Sequence, residues 1–298
     1  MSAAPVPGYL QRLVAAALEE DLGPGDVTSA ACLPALEACG FLIRAKAAGV
    51  LAGMDAAREV FRQVDPHVSF AAVVLDGRRL APGDVLAEGE GAARSVLAAE
   101  RTALNFLQQL SGVATLTTEF VSRVAHTNAR IVDTRKTVPG LRWLQKQAVR
   151  AGGGLNHRLG LYDAVLIKNN HITVVGSVAG AVRAAQQRVG HMVKIEVEVR
   201  SLEELEEALA AGPDAVLLDN MTTEQMREAV RLTNGRAVLE ASGGVTLDNV
   251  AAVAETGVGL ISVGALTHSA PALDLHLVLW PAAERRGPEQ ESSVHSAN

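Results

Sequence analysis

The 298-residue sequence is short of cysteine, of aromatic side chains and of positive charge, and each shortage removes a class of protein. Two cysteines, Cys32 and Cys39, are too few for a disulfide framework and lack metal-ligand spacing, so they read as packed thiols. Aromatics make up 3% of the residues, which argues against a surface that stacks nucleic-acid bases. A net charge of −6 argues against a binder of phosphate backbones, so no nucleic-acid partner is expected. No apolar run approaches the ~20 residues of a membrane span. The opening Met1-Ser2-Ala3-Ala4-Pro5 has neither a charged n-region nor an apolar h-region. The expectation is a cytoplasmic protein with no membrane partner. What is present is apolar material: 48% of the chain, with 20% charged, enough for a sizeable core.

The first third reads as a small mixed α/β unit. Helical periodicity over Tyr9–Glu19 ends before the turn-rich Leu22-Gly23-Pro24-Gly25-Asp26. Short strands are expected at Phe41–Arg44, Val68–Ala71 and Val85–Ala87, with a helix over Asp55–Gln63. From about residue 129 the pattern changes to β-branched runs alternating with helices. The runs are Ile131–Asp133, Ala164–Ile167, Val193–Val197, Ala215–Leu218, Ala237–Leu239 and Leu260–Val263. Ser201 with Glu204 and Thr222 with Gln225 have capping-box spacing. Buried strand, helix, strand at this rhythm implies a parallel sheet, most simply closed into a barrel, with six strands legible. The tail beyond Pro281 is polar.

Barrel enzymes place reacting groups at the C-terminal ends of strands. Here those ends read Asp133, Lys168, Glu198, Asp219, Glu240 and Gly264, and five of the six are ionisable. Between Asn128 and Asn170 stand eight Lys/Arg against two acids, a local excess of positive charge in an acidic chain. Such a field suits a small polyanion. Arg142, Lys146 and Arg150 recur every four residues and read as one solvated helix face. Arg135-Lys136 after a strand, and His157-Arg158 after Gly152-Gly153-Gly154, do not. On the helix Ser95–Gln109, Arg101 falls on the apolar stripe of Val96, Leu97, Leu104 and Leu107, beside Glu100. It either closes an internal ion pair or reaches a ligand, across a subunit interface in one version. Two glycine segments, Ser242-Gly243-Gly244 before a helix near Thr246 and Val263-Gly264-Ala265, suit the close approach of backbone N–H groups to a phosphate.

The ordered set Glu100–Asn105, Asp133–Thr137, Gly152–Arg158, Lys168–His171, Glu196-Val197-Glu198, Leu218-Asp219-Asn220 and the two glycine segments resembles the quinolinate phosphoribosyltransferase family, of the type II phosphoribosyltransferases. The resemblance runs from Glu19 to Asp274. It implies an N-terminal α/β sandwich domain over residues 1–112 and an incomplete, about seven-stranded α/β barrel over 113–269. A helical segment, 270–285, would pack back on the first domain, and 286–298 would be a polar tail. The implied reaction transfers phosphoribosyl from 5-phosphoribosyl 1-pyrophosphate to quinolinate with decarboxylation, giving nicotinate mononucleotide, pyrophosphate and CO₂.

By the same resemblance the protein is at least a dimer, with Arg101 contributed across the interface. Thr134, Arg135, Lys136, His157, Arg158 and Lys168 would face quinolinate and the phosphoribosyl donor. Glu198 and Asp219 would border the ribose and a pyrophosphate-bound Mg²⁺, and Ser242, Gly243, Gly244, Val263, Gly264 and Ala265 would hold the 5-phosphate. Lys136, Lys168, Glu198 and Asp219 are the residues expected to act on the reacting centre. Quinolinate's two carboxylates suit planar guanidinium partners, which is why a dicarboxylate is preferred to nicotinate as acceptor. The carboxylates Glu198 and Asp219 argue against a passive phosphate receptor, which would gain nothing from them.

Overall fold

A computed structural model describes residues 8–35 and 37–282. In chain order its elements begin with α1 (Tyr9–Leu22), α2 (Val27–Cys32), β1 (Ala38–Ala45), β2 (Gly49–Val50), α3 (Met54–Val64), β3 (Ala71–Ala72), β4 (Arg79–Leu80), β5 (Val85–Ala92) and α4 (Ala93–Val124). There follow β6 (Arg130–Val132), α5 (Arg142–Ala151), β7 (Val165–Ile167), α6 (Asn169–Val175), α7 (Val178–Gln186), β8 (Ile195–Val199), α8 (Leu202–Ala211) and β9 (Ala215–Asp219). The last are α9 (Thr223–Thr233), β10 (Val238–Ser242), α10 (Val250–Ala254), β11 (Leu260–Ser262), α11 (Ala265–His268) and β12 (Leu275–Pro281). The described chain divides into two compact units, residues 5–112 with those from 272 onward, and 113–271.

The N-terminal unit is an antiparallel sheet in the order β12-β1-β5-β3 with helices against it. Its core is apolar: Phe41 stacks on Phe61 at 5.0 Å between ring centroids, and Phe70 tilts against both. The expected strand at Val68–Ala71 is reduced to Ala71–Ala72. The expectation of a helical 270–285 fails: Leu275–Pro281 is a strand paired antiparallel with β1 from Cys39 to Ala45. Leucines alternate there with His276, Val278 and Trp280, the period of a strand. Trp280 lies opposite Gly40, where a Cβ would come within 2.5 Å of the indole, so glycine makes the seat. Residues 283–285 and the tail 286–298 fall outside the described residues.

The second unit is a parallel sheet ordered β6-β11-β10-β9-β8-β7. It has six strands where seven were expected. Beside β6 the next segment makes a single bridge, Val132 to Leu155, because the residues that follow turn away to bond Asp133. Strand β8, Ile-Glu-Val-Glu-Val, is buried throughout. Register then fixes which side chains share a face. Glu196 pairs with Ala215 and Leu166, Glu198 with Leu217, Glu240 with Leu217 and Leu260, and Ser242 with Asp219 and Ser262. These are residues of one phase along each strand, and that phase carries the polar groups. Asp133 belongs to the other phase.

The helix caps follow the sequence with one variation. Thr222 and Gln225 form the full reciprocal box. Ser201 accepts from the Glu204 N–H, but the Glu204 carboxylate reaches one residue further back, to the Arg200 N–H.

Candidate active site

Thr134, Arg135, Lys136, His157, Arg158, Lys168, Glu198, Asp219, Ser242, Gly243 and Gly244 line one cavity of about 520 Å³, with Glu240 and Asn220 among them. The lining positions on the strands themselves, Glu198, Leu217, Asp219, Glu240, Ser242 and Ser262 among them, are all of this one phase, so strand alternation builds the floor of the cavity.

The cationic side is built from loops. Arg135 and Arg158 lie close enough that, after burial, the Arg135 charge further lowers the pKa of the Arg158 guanidinium. The Nε atoms of both are buried and have no hydrogen-bond partner among the described residues. Arg158 spends one Nη1 bond on the Ala164 carbonyl at 3.1 Å. Two guanidiniums in mutual repulsion, each with an unmatched buried N–H, have the chemistry to receive an anion. The stem of Lys136 runs over Gly264, where a Cβ would stand 3.2 Å from its Cδ.

Carboxylates stand opposite. Lys168 Nζ donates to Glu198 Oε2 at 3.0 Å, and the Asn169 N–H approaches Oε1 at 3.4 Å. Asp219 accepts from Asn220 at 2.9 Å and faces the Arg200 guanidinium at 3.5 Å. Gly243 has φ +96° and Gly244 φ +62°, left-handed conformations that glycine adopts without strain. A Cβ on Gly243 would sit 2.1 Å from Asn220 Oδ1.

Four expectations need correction. Lys146 is not on a solvated face: its ammonium is 1% exposed and paired with Asp133, itself fully buried. Burial pushes the Asp133 carboxyl up and the Lys146 ammonium down, against the pull of each on the other. Asp133 is therefore a brace behind the site and does not line it. Arg142 is also a brace, reaching Thr137 Oγ1 at 3.0 Å and two carbonyls, which leaves Arg150 as the exposed member of the three. Arg101 is exposed, since the buried face of α4 runs through Val96, Ala99, Ala103, Phe106 and Leu110. It lies in the N-terminal unit and is not among the lining residues. The helix expected near Thr246 begins at Val250 and has five residues, so the glycine backbone, and not a helix terminus, faces the cavity. Val263, Gly264 and Ala265 follow the lining residue Ser262 and are not themselves among the lining residues; Val263 is packed in the core and Gly264 lies against the Lys136 stem.

Glu196 and Glu240 are acids at the site that the sequence reading left without a role. His157 Nε2 is 3.0 Å from Glu196 Oε2 and 3.7 Å from Glu240 Oε2. Burial, then the Glu196 charge, pushes Glu240 up to about 7. Burial would lower the His157 pKa, but the hydrogen bond to Glu196 and the two carboxylate charges outweigh it and hold the imidazole above its ordinary value. The cue for Glu196 was in the sequence: two glutamates alternating with Ile and Val place both on one face of a buried strand.

Glu198 and Asp219 also fit a hard dication. Both line the cavity and offer carboxylate oxygens, and Mg²⁺ is commonly held by one or two carboxylates together with substrate phosphates. The group His157, Glu196 and Glu240 lies within 4.8 Å, but the direct imidazole–carboxylate hydrogen bond accounts for that approach without an ion.

Comparison with known proteins adds independent findings. Quinolinate phosphoribosyl transferase, N-terminal domain, matches residues 26–111, and its C-terminal domain matches 113–278. The chain is 46% identical over 258 residues to a probable nicotinate-nucleotide pyrophosphorylase [carboxylating] of Bacillus subtilis, covering 87% of this chain and 89% of that one. It is 47% identical over 269 residues to the nicotinate-nucleotide pyrophosphorylase [carboxylating] of Mycobacterium leprae, covering 88% and 94%. The solved nicotinate-nucleotide pyrophosphorylase of Francisella tularensis superposes with a TM-score of 0.88 at 40% identity, over 94% of this chain and 99% of that one.

Proposed function

The chain belongs to the quinolinate phosphoribosyltransferase family, and we propose that the barrel cavity is where its residues carry out that family's reaction. The reaction is phosphoribosyl transfer from 5-phosphoribosyl 1-pyrophosphate to quinolinate with decarboxylation, in NAD biosynthesis. The observation that supports the placement is the receptor made by Arg135 and Arg158, whose buried Nε atoms lack partners, set against Glu198 and Asp219 in one cavity.

In this reading the quinolinate carboxylates lie against Arg135, Arg158, Lys168 and Thr134, with His157 beneath. Planar guanidinium pairs give both charge and direction. A monocarboxylate would leave part of that set unmatched in a buried place, a cost of about 1–3 kcal/mol for each unsatisfied group. The ring nitrogen then attacks the anomeric carbon, and the bond from that carbon to the pyrophosphate oxygen breaks with its electron pair leaving on pyrophosphate. Glu198 and Asp219 lie beside the ribose, where positive charge develops, while Lys136 and Lys168 face the departing charge. Magnesium, when held by Glu198, Asp219 and the pyrophosphate, supplies further compensation for that charge. The bond between the ring and its 2-carboxylate breaks next, CO₂ departs, and the electron pair stays on the ring carbon beside the cationic nitrogen. A proton from solvent completes nicotinate mononucleotide. No covalent intermediate is needed, so the chain's contribution is positioning and charge.

Ser242, Gly243 and Gly244, with Val263, Gly264 and Ala265, hold the 5-phosphate with backbone N–H groups. Arg101, exposed on its helix, reaches the cavity of a second copy, which makes the working form at least a dimer. None of the described helices is long and apolar enough to cross a membrane.

The test mixes the protein with quinolinate, 5-phosphoribosyl 1-pyrophosphate and MgCl₂, with nicotinate as a parallel acceptor and EDTA as a second arm. Nicotinate mononucleotide and CO₂ from quinolinate, lost with EDTA, are the expected results. Product from nicotinate alone would overturn the assignment of the arginines, and full turnover in EDTA would overturn that of Glu198 and Asp219 to Mg²⁺.

A further inference from the structure

His157 lines the cavity, yet each of its polar atoms is already used inside the protein. Its N–H donates to Asp133 Oδ1 at 2.8 Å, and its carbonyl accepts from Lys146 Nζ at 3.0 Å. The Arg158 backbone N–H donates to its Nδ1 at 2.7 Å. Nε2 faces Glu196 Oε2 at 3.0 Å. A backbone N–H can only donate, so Nδ1 accepts and carries no proton. The two carboxylates favour a charged ring, but a second proton could enter only at Nδ1, where the Arg158 N–H already donates, so the ring's single proton is on Nε2 and is given to Glu196. Neither nitrogen is left for a ligand. Glu240, 2% exposed at its side chain, stands 3.7 Å from the same Nε2, beyond hydrogen-bond length.

Two carboxylates buried side by side are costly, and such groups persist where they fix something. Here the fixed object is the main chain of Arg158. We propose that His157 is a positioning residue and that Glu196, with Glu240 beside it, holds its ring in the Nε2–H tautomer, so that Nδ1 pins the Arg158 backbone and aims its guanidinium into the cavity. The inference rests on the reading of Arg158 as a partner of a quinolinate carboxylate. It changes the role of His157, which then acts through Arg158 and contributes no charge to the substrate. It gives Glu196 and Glu240 a part in acceptor recognition that runs through His157 and Arg158.

The test combines ¹⁵N NMR of the histidine-labelled full-length protein with kinetics. The His157 signal, identified by its loss in His157→Asn, should show an unprotonated Nδ1 and a protonated Nε2, unchanged when quinolinate is added. An Nδ1–H ring, an imidazolium, or a change of tautomer on adding quinolinate would overturn the proposal. Glu196→Ala should raise the KM for quinolinate about ten- to a hundredfold, with the KM for 5-phosphoribosyl 1-pyrophosphate unmoved, because a displaced Arg158 misplaces one substrate only. Glu196→Gln, whose amide oxygen can still accept from Nε2–H, should recover most of the loss. Equal loss in both Glu196 variants, or a loss confined to kcat, would contradict it. Arg158→Ala separates the two readings: an unchanged quinolinate KM there removes the substrate role of Arg158, whereas the tautomer result stands or falls on its own.

Discussion

The two units differ in what they bury. Among the described residues of the N-terminal unit, Glu59 is the one charged side chain in the buried class, and its partners Arg62 and Gln63 lie one turn away on its own helix. The barrel unit buries Asp133, Lys146, Glu196, Glu198 and Glu240. The first unit is held by Phe41, Phe61 and the pairing of β12 with Cys39–Ala45 of β1, and its one buried charge is matched within its own helix. The second carries groups that a stable core would avoid, and all of them meet at one cavity or brace its loops. Buried charge is therefore concentrated in the unit that holds the candidate site, and the difference can be attacked from either side.

The largest effect is expected from Lys146→Met. It leaves the Asp133 carboxylate buried without its cation, which should cost about 3–5 kcal/mol in urea unfolding and also raise the quinolinate KM, because the same pair holds the His157 main chain. A loss below about 1 kcal/mol would mean that the pair is not the brace described here.

Next comes a contrast in pH dependence. The pKa of Glu240 is raised when folded, to about 7 from an ordinary 4.5. Its neutral form is thus favoured in the native state, a contribution present below pH 4.5 and lost as pH rises through about 7. The span corresponds to about 3 kcal/mol. Glu59 is lowered, by its hydrogen bond to Arg62 against burial, so its contribution is present above pH 4.5 and lost as pH falls below it. Unfolding free energies of Glu240→Gln and Glu59→Gln, measured against the parent from pH 4 to 8, should diverge from it in opposite directions. The Glu59 effect should stay below about 1 kcal/mol because its partner is exposed. Parallel difference curves would erase the contrast.

The smallest effect sharpens it from the apolar side. Phe61→Leu should lower stability by about 1 kcal/mol, through the lost stacking on Phe41, and leave both substrate KM values where they were. A change in quinolinate KM would show that the N-terminal core is not confined to stability.

Much of the fold was legible because period and burial agree. Strands β8 and β9 and their capped helices follow from local pattern. The failures share a cause: each depended on a partner remote in sequence. Leu275–Pro281 forms a strand because β1 offers an edge more than 200 residues earlier. Lys146 looks solvated by its four-residue spacing from Arg142 and Arg150, and is buried because Asp133 receives it. Arg101 looked buried by counting from Leu97 and Leu104, whereas the packed stripe of α4 passes through the alanines Ala99 and Ala103, which carry little signal. At the site, Arg135, Arg158, Lys168, Glu198 and Asp219 were read as residues near a polyanion before any geometry. Glu196 and Glu240 were visible as residues, but their use appears only when β8 and β10 bring them to His157.

The central claim is that the guanidiniums in the barrel cavity read the two carboxylates of quinolinate. The direct measurement is steady-state kinetics of Arg135→Ala with each substrate varied in turn. Loss of one charge-assisted pairing, about 1.5–3 kcal/mol, predicts a quinolinate KM raised about ten- to a hundredfold with the KM for 5-phosphoribosyl 1-pyrophosphate little changed. An unchanged quinolinate KM, or a rise confined to the phosphoribosyl donor, would contradict it.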